Sequence, residues 1–183
     1  MNSDTTPGIG KRVSICHSLV EGNLPYIVLC STNYFFMAQN IIIKEDLIEV
    51  VVEITKTIFE FESIYYKNHF EDHYKKKEKL ILVAYIEEVP VWFIVAYNKY
   101  DDKSIYCWMA WVNPKYRRAW VFSKLMQYLT NWAKENNYKS IKLKSRNNRR
   151  AMLTYLIKEW YNMLEVYTYH QVKDNRILFE KEI

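Results

Sequence analysis

The sequence predicts a single α/β domain, in which strands and amphipathic helices follow one another along the chain. A length of 183 residues is that of one domain, and 50% hydrophobic with 16% aromatic residues allows a sizeable core. Apolar residues recur at helical spacing in some segments and form short continuous runs in others. Asn and Asp pairs, which tolerate positive φ best after glycine, separate these segments.

The first 25 residues are predicted to form an N-terminal arm, and residues 26–183 the folded domain. Met1 to Lys11 reads MNSDTTPGIGK, and so polar a segment gains little from packing on its own core. We therefore expect this arm to bind a neighbouring protein chain in an assembly. The apolar run from Tyr26 to Cys30 predicts the first strand.

Two helices are predicted next, from Lys44 to Phe61 and, with a more polar face, from Ser63 to Lys77. The first carries apolar side chains at helical spacing from Leu47 to Phe59. The other predicted elements are strands at Leu80 to Ile86, Val89 to Tyr97 and Ser104 to Val112, a helix at Arg118 to Asn136, a strand at Ser140 to Lys144, a helix at Asn148 to Trp160, and strands at Met163 to Gln171 and Arg176 to Lys181.

Two motifs in the C-terminal half resemble those of the GNAT N-acetyltransferases. The first family motif is V-x-P-x-Y-R-x-x-G-x-G-x-x-L-[LM], and the matching residues are Val112, Pro114, Tyr116, Arg117, Leu125 and Met126. The second is N-x-x-A-x-x-x-Y-x-x-x-G-F. Asn148, Ala151 and Tyr155 match it, and Glu159-Trp160 replaces Gly-Phe.

This resemblance implies an acyl-CoA N-acyltransferase-like (GNAT) fold, with a mixed, mostly antiparallel central sheet flanked by helices and splayed between the fourth and fifth strands. In an active member, Tyr155 would be the general acid that protonates the departing thiolate. The residues that the resemblance assigns to acetyl-CoA binding are Val112, Arg117, Arg118, Val121, Ser123 and Asn148.

The chain departs from the family where backbone N–H groups cradle the pyrophosphate of acetyl-CoA, because Trp120 and Phe122 replace both glycines of the first motif. A Cβ at these positions hinders the approach of phosphate to the backbone. Trp92 stands where another strand of the family has glycine. The fourth strand also lacks the glutamate base of many members, and Glu87 and Glu88 are the nearest glutamates in sequence. We therefore expect Trp120 and Phe122 to block the groove, with no cofactor bound.

The leading function predicted on this basis is a non-catalytic binding or structural subunit of a larger assembly, such as a phage or viral particle. One alternative is an acetyl-CoA-dependent N-acetyltransferase with an atypical phosphate loop. Another is a nucleic-acid-associated protein. It would use a basic cluster, defined as Lys142, Lys144, Arg146, Arg149 and Arg150, to bind nucleic acid or an acidic surface. An ordinary charged loop explains the cluster equally well.

The remaining features point to few further partners. His69 and His73 share one helix face at a spacing that can bind zinc, but a solvated helix face is the preferred interpretation and no metal is expected. Cys16, Cys30 and Cys107 are odd in number and widely spaced, which is typical of reduced thiols. No apolar run approaches the ~20 residues of a membrane span. We therefore expect a cytoplasmic or intravirion protein that is neither membrane-bound nor secreted.

Overall fold

The computed structural model describes residues 40–58, 65–116 and 121–183, and these form a mixed sheet covered by helices on both faces. The strands are β1 (Ile41–Glu45), β2 (Lys79–Ile86), β3 (Val89–Tyr97), β4 (Ser104–Val112), β5 (Ser140–Arg146), β6 (Asn162–Tyr167) and β7 (Arg176–Glu182). The helices are α1 (Ile48–Lys56), α2 (Lys67–Tyr74), α3 (Val121–Glu135) and α4 (Arg150–Lys158).

The sheet has the strand order β1-β2-β3-β4-β5-β7-β6, and each neighbouring pair is antiparallel except β4 with β5. This is the mixed, mostly antiparallel sheet that the sequence predicts. The chain runs directly from β2 into β3 through Glu87 and Glu88, whose φ values are 49° and 65°. A two-residue hairpin of this type needs positive φ at both central residues, which glutamate adopts here in place of glycine.

Helices on opposite faces of the sheet complete two apolar cores. On one face, α3 contributes Val121, Leu125 and Leu129, which pack against residues of β2, β3 and β5; α4 adds apolar side chains to this α3–α4 core. On the other face, α1 and α2 contribute Val51 and Phe70. Successive side chains of β2 and β3 point to opposite faces of the sheet and so contribute to both cores. These central strands are therefore buried along almost their whole length.

The first described elements differ from their predicted bounds. Residues 41–45 form a strand antiparallel to β2, whereas the sequence predicts that a helix has already begun at Lys44. Three consecutive β-branched isoleucines, Ile41 to Ile43, favour the strand. The backbone N–H of Leu47 donates to the Asp46 carboxylate at 2.8 Å as the chain enters α1. The arm from Met1 to Lys11 and the predicted strand from Tyr26 to Cys30 lie outside the described residues.

The later elements follow the predicted order, and most of their observed bounds differ from the predicted ones by a few residues. The helix predicted to begin at Asn148 begins at Arg150, and β6 ends at Tyr167 rather than Gln171. In the parts of the chain that the structure describes, no helix is long and apolar enough to cross a membrane.

Candidate active site between the parted strands

The site begins where β4 and β5 stop pairing. These parallel strands pair from Ser104 with Ser140 to Cys107 with Leu143, and no pairing between them is present beyond that point. Both strands nevertheless continue, β4 with β3 and β5 with β7. The sheet is therefore splayed between its fourth and fifth strands, as the resemblance implies, and one edge of the second half of β4 is left without a strand partner.

A β-bulge at Trp108 accompanies this parting. On β3, Val95 pairs with Met109 and Ala96 pairs with Cys107, so Trp108 is an additional residue on β4. Trp108 and Met109 consequently both pack towards the α1–α2 face, although adjacent strand residues normally point to opposite faces. A bulge bends its strand and increases the local twist. Here it lies directly after the last residue of β4 that pairs with β5.

A cavity of about 990 Å³ occupies the space between the parted strands. Its size is in the upper range for pockets that bind small molecules. Apolar side chains including Trp92, Met109 and Val121 line one part of it. Lys144, Arg146, Arg149 and Arg150 line another. The cavity therefore combines an apolar wall with a concentration of positive charge.

Tyr155 of α4 lines this cavity beside the start of α3. Burial raises the pKa of its hydroxyl to about 12, and the nearby negative charge of Glu159 acts in the same direction. A hydrogen bond with Ser123 opposes this rise. The hydroxyl therefore stays protonated throughout the neutral range and can act as a hydrogen-bond or proton donor.

Phe122 packs against the ring of Tyr155. Their ring centroids are 5.0 Å apart at an interplanar angle of 72°, an edge-to-face contact. Phe122 is partly buried against the α3–α4 core and lines the cavity. Trp120 lies outside the described residues. The expectation that these two side chains together block a ligand stays a prediction, although a large cavity remains beside Phe122.

The structure brings five of the seven predicted site residues to this cavity. Val112, Val121, Ser123, Asn148 and Tyr155 all line it, whereas Arg117 and Arg118 lie outside the described residues. Sequence reasoning missed Trp108 and Met109, because a bulge cannot be recognised from a run of apolar residues. For the basic cluster it left three interpretations open: the phosphates of CoA in an active enzyme, a nucleic-acid or acidic partner, or an ordinary charged loop. The structure places Lys144, Arg146, Arg149 and Arg150 on the cavity wall.

The basic cluster is not a uniform cationic surface. Lys142 forms ion pairs with Asp102 and Glu180, which neutralise much of its charge. The Lys144 ammonium lies 3.5 Å from the centroid of the Tyr167 ring. The prediction that this cluster binds nucleic acid or an acidic surface is not tested by this geometry and stays a prediction.

Carboxylates are absent from the described lining of the cavity. Glu87 and Glu88, the nearest glutamates in sequence to β4, occupy the exposed β2–β3 turn. The imidazoles of His69 and His73 are closer in space to the bulge, because the His73 ring stacks on Trp108 with centroids 4.1 Å apart and an angle of 17°.

The histidine pair thus forms a layer over Trp108, while both residues remain exposed to solvent. His73 Nδ1 donates to the His69 carbonyl at 2.9 Å, and burial lowers the pKa of His69, with the neighbouring His73 adding to that effect. The described part of the chain contains no group of three His, Cys, Asp or Glu residues arranged to hold a metal ion.

A model of the acetyltransferase (GNAT) family matches residues 47–156. No curated relative matches the sequence. Three solved structures illustrate the likeness of fold. Ard1 from Thermoplasma volcanium is 20% identical, with a TM-score of 0.64 over 78% of this chain and 97% of its own. Arabidopsis thaliana Naa50, in complex with the bisubstrate analogue CoA-Ac-MVNAL, is 14% identical, with a TM-score of 0.63 over 78% of this chain and 99% of its own. A GNAT acetyltransferase from Elizabethkingia anophelis with acetyl-CoA bound is 13% identical, with a TM-score of 0.60 over 79% of this chain and 99% of its own.

These findings correct the leading functional prediction. Nothing in the family match or in the structural neighbours indicates a non-catalytic structural subunit or a component of a viral particle, and both fit the alternative of an acetyltransferase better. The leading prediction rested on a groove filled by bulky residues. Whether Trp120 and Phe122 block a ligand stays a prediction, and a cavity of about 990 Å³ lies beside Phe122. The family match covers more than half of the chain, which therefore belongs to the GNAT family of acetyltransferases.

Proposed function

We propose that this protein transfers an acetyl group from acetyl-CoA to an amine in the cavity between β4 and β5. One observation carries the proposal: the cavity opens where the two parallel strands part, and Tyr155 lines it with a hydroxyl that remains protonated. The two structural neighbours described with CoA-derived ligands add support, since their folds resemble this one.

The residues present fit acetyl-CoA in three respects. Lys144, Arg146, Arg149 and Arg150 provide cations suited to phosphate groups. The backbone of Met109 to Trp111 lacks a neighbouring strand on the β5 side and so offers N–H and C=O groups to the amides of a ligand. The apolar wall excludes water from the region next to Tyr155, which strengthens polar interactions there.

Bound acetyl-CoA would supply an activated acetyl thioester. Tyr155 would hold a proton at its hydroxyl oxygen, where a departing thiolate needs one. Ser123 would orient that hydroxyl through their hydrogen bond, and Phe122 would fix the tyrosine ring from its side. Since the described lining lacks a carboxylate, we expect the amine to lose its proton to water or to a residue that the acceptor itself brings.

Acetyl-CoA should bind to the purified protein and stabilise it against unfolding. At a concentration 100 times its dissociation constant, a ligand of the folded state adds about 2.7 kcal/mol. Calorimetry and thermal denaturation with acetyl-CoA measure this directly. Arg150→Gln should weaken binding by about fivefold at low ionic strength, because an exposed cation contributes modestly and is screened by salt.

The matched control is Lys158→Gln, which removes a positive charge from the last turn of the same helix, away from the cavity lining. Its affinity for acetyl-CoA should equal that of the wild type. If millimolar acetyl-CoA produces neither heat nor stabilisation, the proposal is wrong and the blocking of the groove by Trp120 and Phe122 becomes the better account.

A further inference from the structure

A second cavity, of about 350 Å³, lies where β5 ends and β7 begins. The described residues that line it are Arg146, Tyr169, His170, Gln171, Asp174 and Arg176. Four of them belong to the segment between β6 and β7, which includes a single helical turn at Val172–Asp174. This cavity is lined mainly by polar side chains, in contrast to the apolar wall of the larger one.

Two arginines lie side by side in the lining of this cavity. Arg146 and Arg176 are directly paired residues on the antiparallel strands β5 and β7, and both are partly buried. Like charges at directly opposed positions destabilise a sheet. Within the described residues, neither guanidinium lies within ion-pair distance of a carboxylate, although Asp174 lines the same cavity.

The surroundings add to this excess of positive charge. The Arg176 guanidinium lies 5.3 Å from the centroid of the Tyr169 ring, and both residues line the cavity. Burial lowers the pKa of the neighbouring Lys144; the charge of Glu165 opposes this effect, and that of Arg176 adds to it. An anion placed between Arg146 and Arg176 would relieve this repulsion, and the planar guanidinium matches the two oxygens of a carboxylate or phosphate.

The second cavity adjoins the first, because Arg146 lines both. A molecule whose anionic group occupies the smaller cavity can therefore place its other end in the larger cavity, which Tyr155 lines. We propose that Arg146 and Arg176 bind an oxyanion, a carboxylate or phosphate, on the acceptor amine, so that the preferred substrates are acidic amines. This inference rests on the proposed acetyl transfer for its catalytic meaning, but the anion site can be tested without acetyl-CoA.

The direct test uses glutamate and inorganic phosphate as probes, with glutamine and sodium chloride at matched ionic strength as their controls. Glutamate or phosphate should raise the melting temperature of the wild type, and glutamine should not. Arg176→Gln should abolish the shift, whereas Arg176→Lys should retain part of it. Lys173→Gln, which removes a charge from the same segment without touching the cavity lining, should behave as the wild type.

Arg176→Gln also has an expected effect without any probe, which checks that the variant folds. Because the substitution removes a like-charge contact, its melting temperature should equal or exceed that of the wild type. Equal stabilisation of the wild type and Arg176→Gln by glutamate would overturn the inference, as would equal shifts from glutamate and glutamine. Phosphate binding without glutamate binding would restrict the site to phosphorylated acceptors.

The catalytic test compares amines that carry a carboxylate with their amides, at several separations between amine and acid. The acidic member should be acetylated with kcat/KM at least about tenfold higher, the loss expected when a charged group loses its partner. Arg176→Gln should remove this preference by raising KM for the acid alone. If acetyl-CoA binds but acids and amides react equally, this inference fails and the proposed function stands. If acetyl-CoA does not bind, the proposed function fails and the probe experiment decides the anion site.

Discussion

Replacing Tyr155 by phenylalanine should lower kcat for acetyl transfer by about 10²- to 10⁴-fold, the contribution expected of a positioned general acid. The ring should remain in place, because its edge-to-face contact with Phe122 does not involve the hydroxyl. The affinity for acetyl-CoA should change little. A steady-state rate measurement combined with calorimetry separates these two quantities.

Tyr128→Phe is the matched control, since Tyr128 is partly exposed on α3 and is not among the residues that line the cavity. It should keep the wild-type rate. The pH profile provides a second check. Because the Tyr155 pKa is raised to about 12, its proton is lost only near that pH, and activity should not decline through the titration of this group below it. A Tyr155→Phe rate within about threefold of the wild type would exclude the acid role.

Ser123→Ala tests the same role of Tyr155 by removing the side chain that hydrogen-bonds to it. The hydrogen bond between Ser123 and Tyr155 lowers the tyrosine pKa against the effect of burial. Removal of this hydrogen bond should therefore raise the tyrosine pKa further and leave the hydroxyl less well oriented, and kcat should fall less than it does in Tyr155→Phe. The double variant should have a kcat only slightly lower than that of Tyr155→Phe alone, since both substitutions act on one hydroxyl.

The order of elements and the position of Tyr155 could be predicted because they depend on local patterns. Apolar spacing identified α3 and the buried strands, and the motif with Ala151 and Tyr155 identified α4, which begins at Arg150 rather than at Asn148. The β-bulge at Trp108 could not be predicted, since it is defined by register with β3 rather than by residue type. The second cavity depends on the opposition of Arg146 and Arg176 across two strands, which are thirty residues apart in sequence.

The replaced glycines are a case that residue type alone does not decide. Large side chains at glycine positions do restrict the backbone, but the sequence does not show where those side chains point. Phe122 turns to the side and packs on Tyr155. Trp92 is incorporated into the α3–α4 core with 1% of its surface exposed. Bulk at a site lined by glycine in relatives therefore does not establish that the site is occupied.

The position after α4 illustrates the same point from the backbone. The second motif places Glu159 at the family glycine, whereas the left-handed residue is Trp160, with φ of 62°. The N–H of Tyr161 donates to Leu156 O at 3.0 Å and that of Trp160 to Ile157 O at 3.2 Å. This pair of bonds is a Schellman motif, which usually has glycine at the left-handed position. The residue that needs the conformational freedom of glycine is therefore one position later than the motif predicts.

Trp92, which stands where the family has glycine, and Trp160, which has the left-handed conformation, should respond oppositely to truncation. Trp92→Ala should lower the free energy of unfolding by about 3–5 kcal/mol, because a large, fully buried side chain is removed from the core. Trp160→Gly should raise it by about 1 kcal/mol, because Trp160 is 85% exposed and glycine adopts positive φ without a Cβ clash. Denaturant unfolding with an unchanged m-value measures both.

Trp92→Phe separates volume from polarity at the buried site. The Trp92 Nε1–H is buried and has no hydrogen-bond acceptor among the described residues, so the folded state bears the cost of a desolvated donor. Phenylalanine retains most of the apolar volume and removes that donor. Trp92→Phe should therefore lower the free energy of unfolding much less than Trp92→Ala does. If Trp92→Phe instead destabilises the fold as much as Trp92→Ala does, the indole N–H makes a contact that this core does not account for. Equal effects of truncation at Trp92 and Trp160 would mean that burial does not distinguish the two sites.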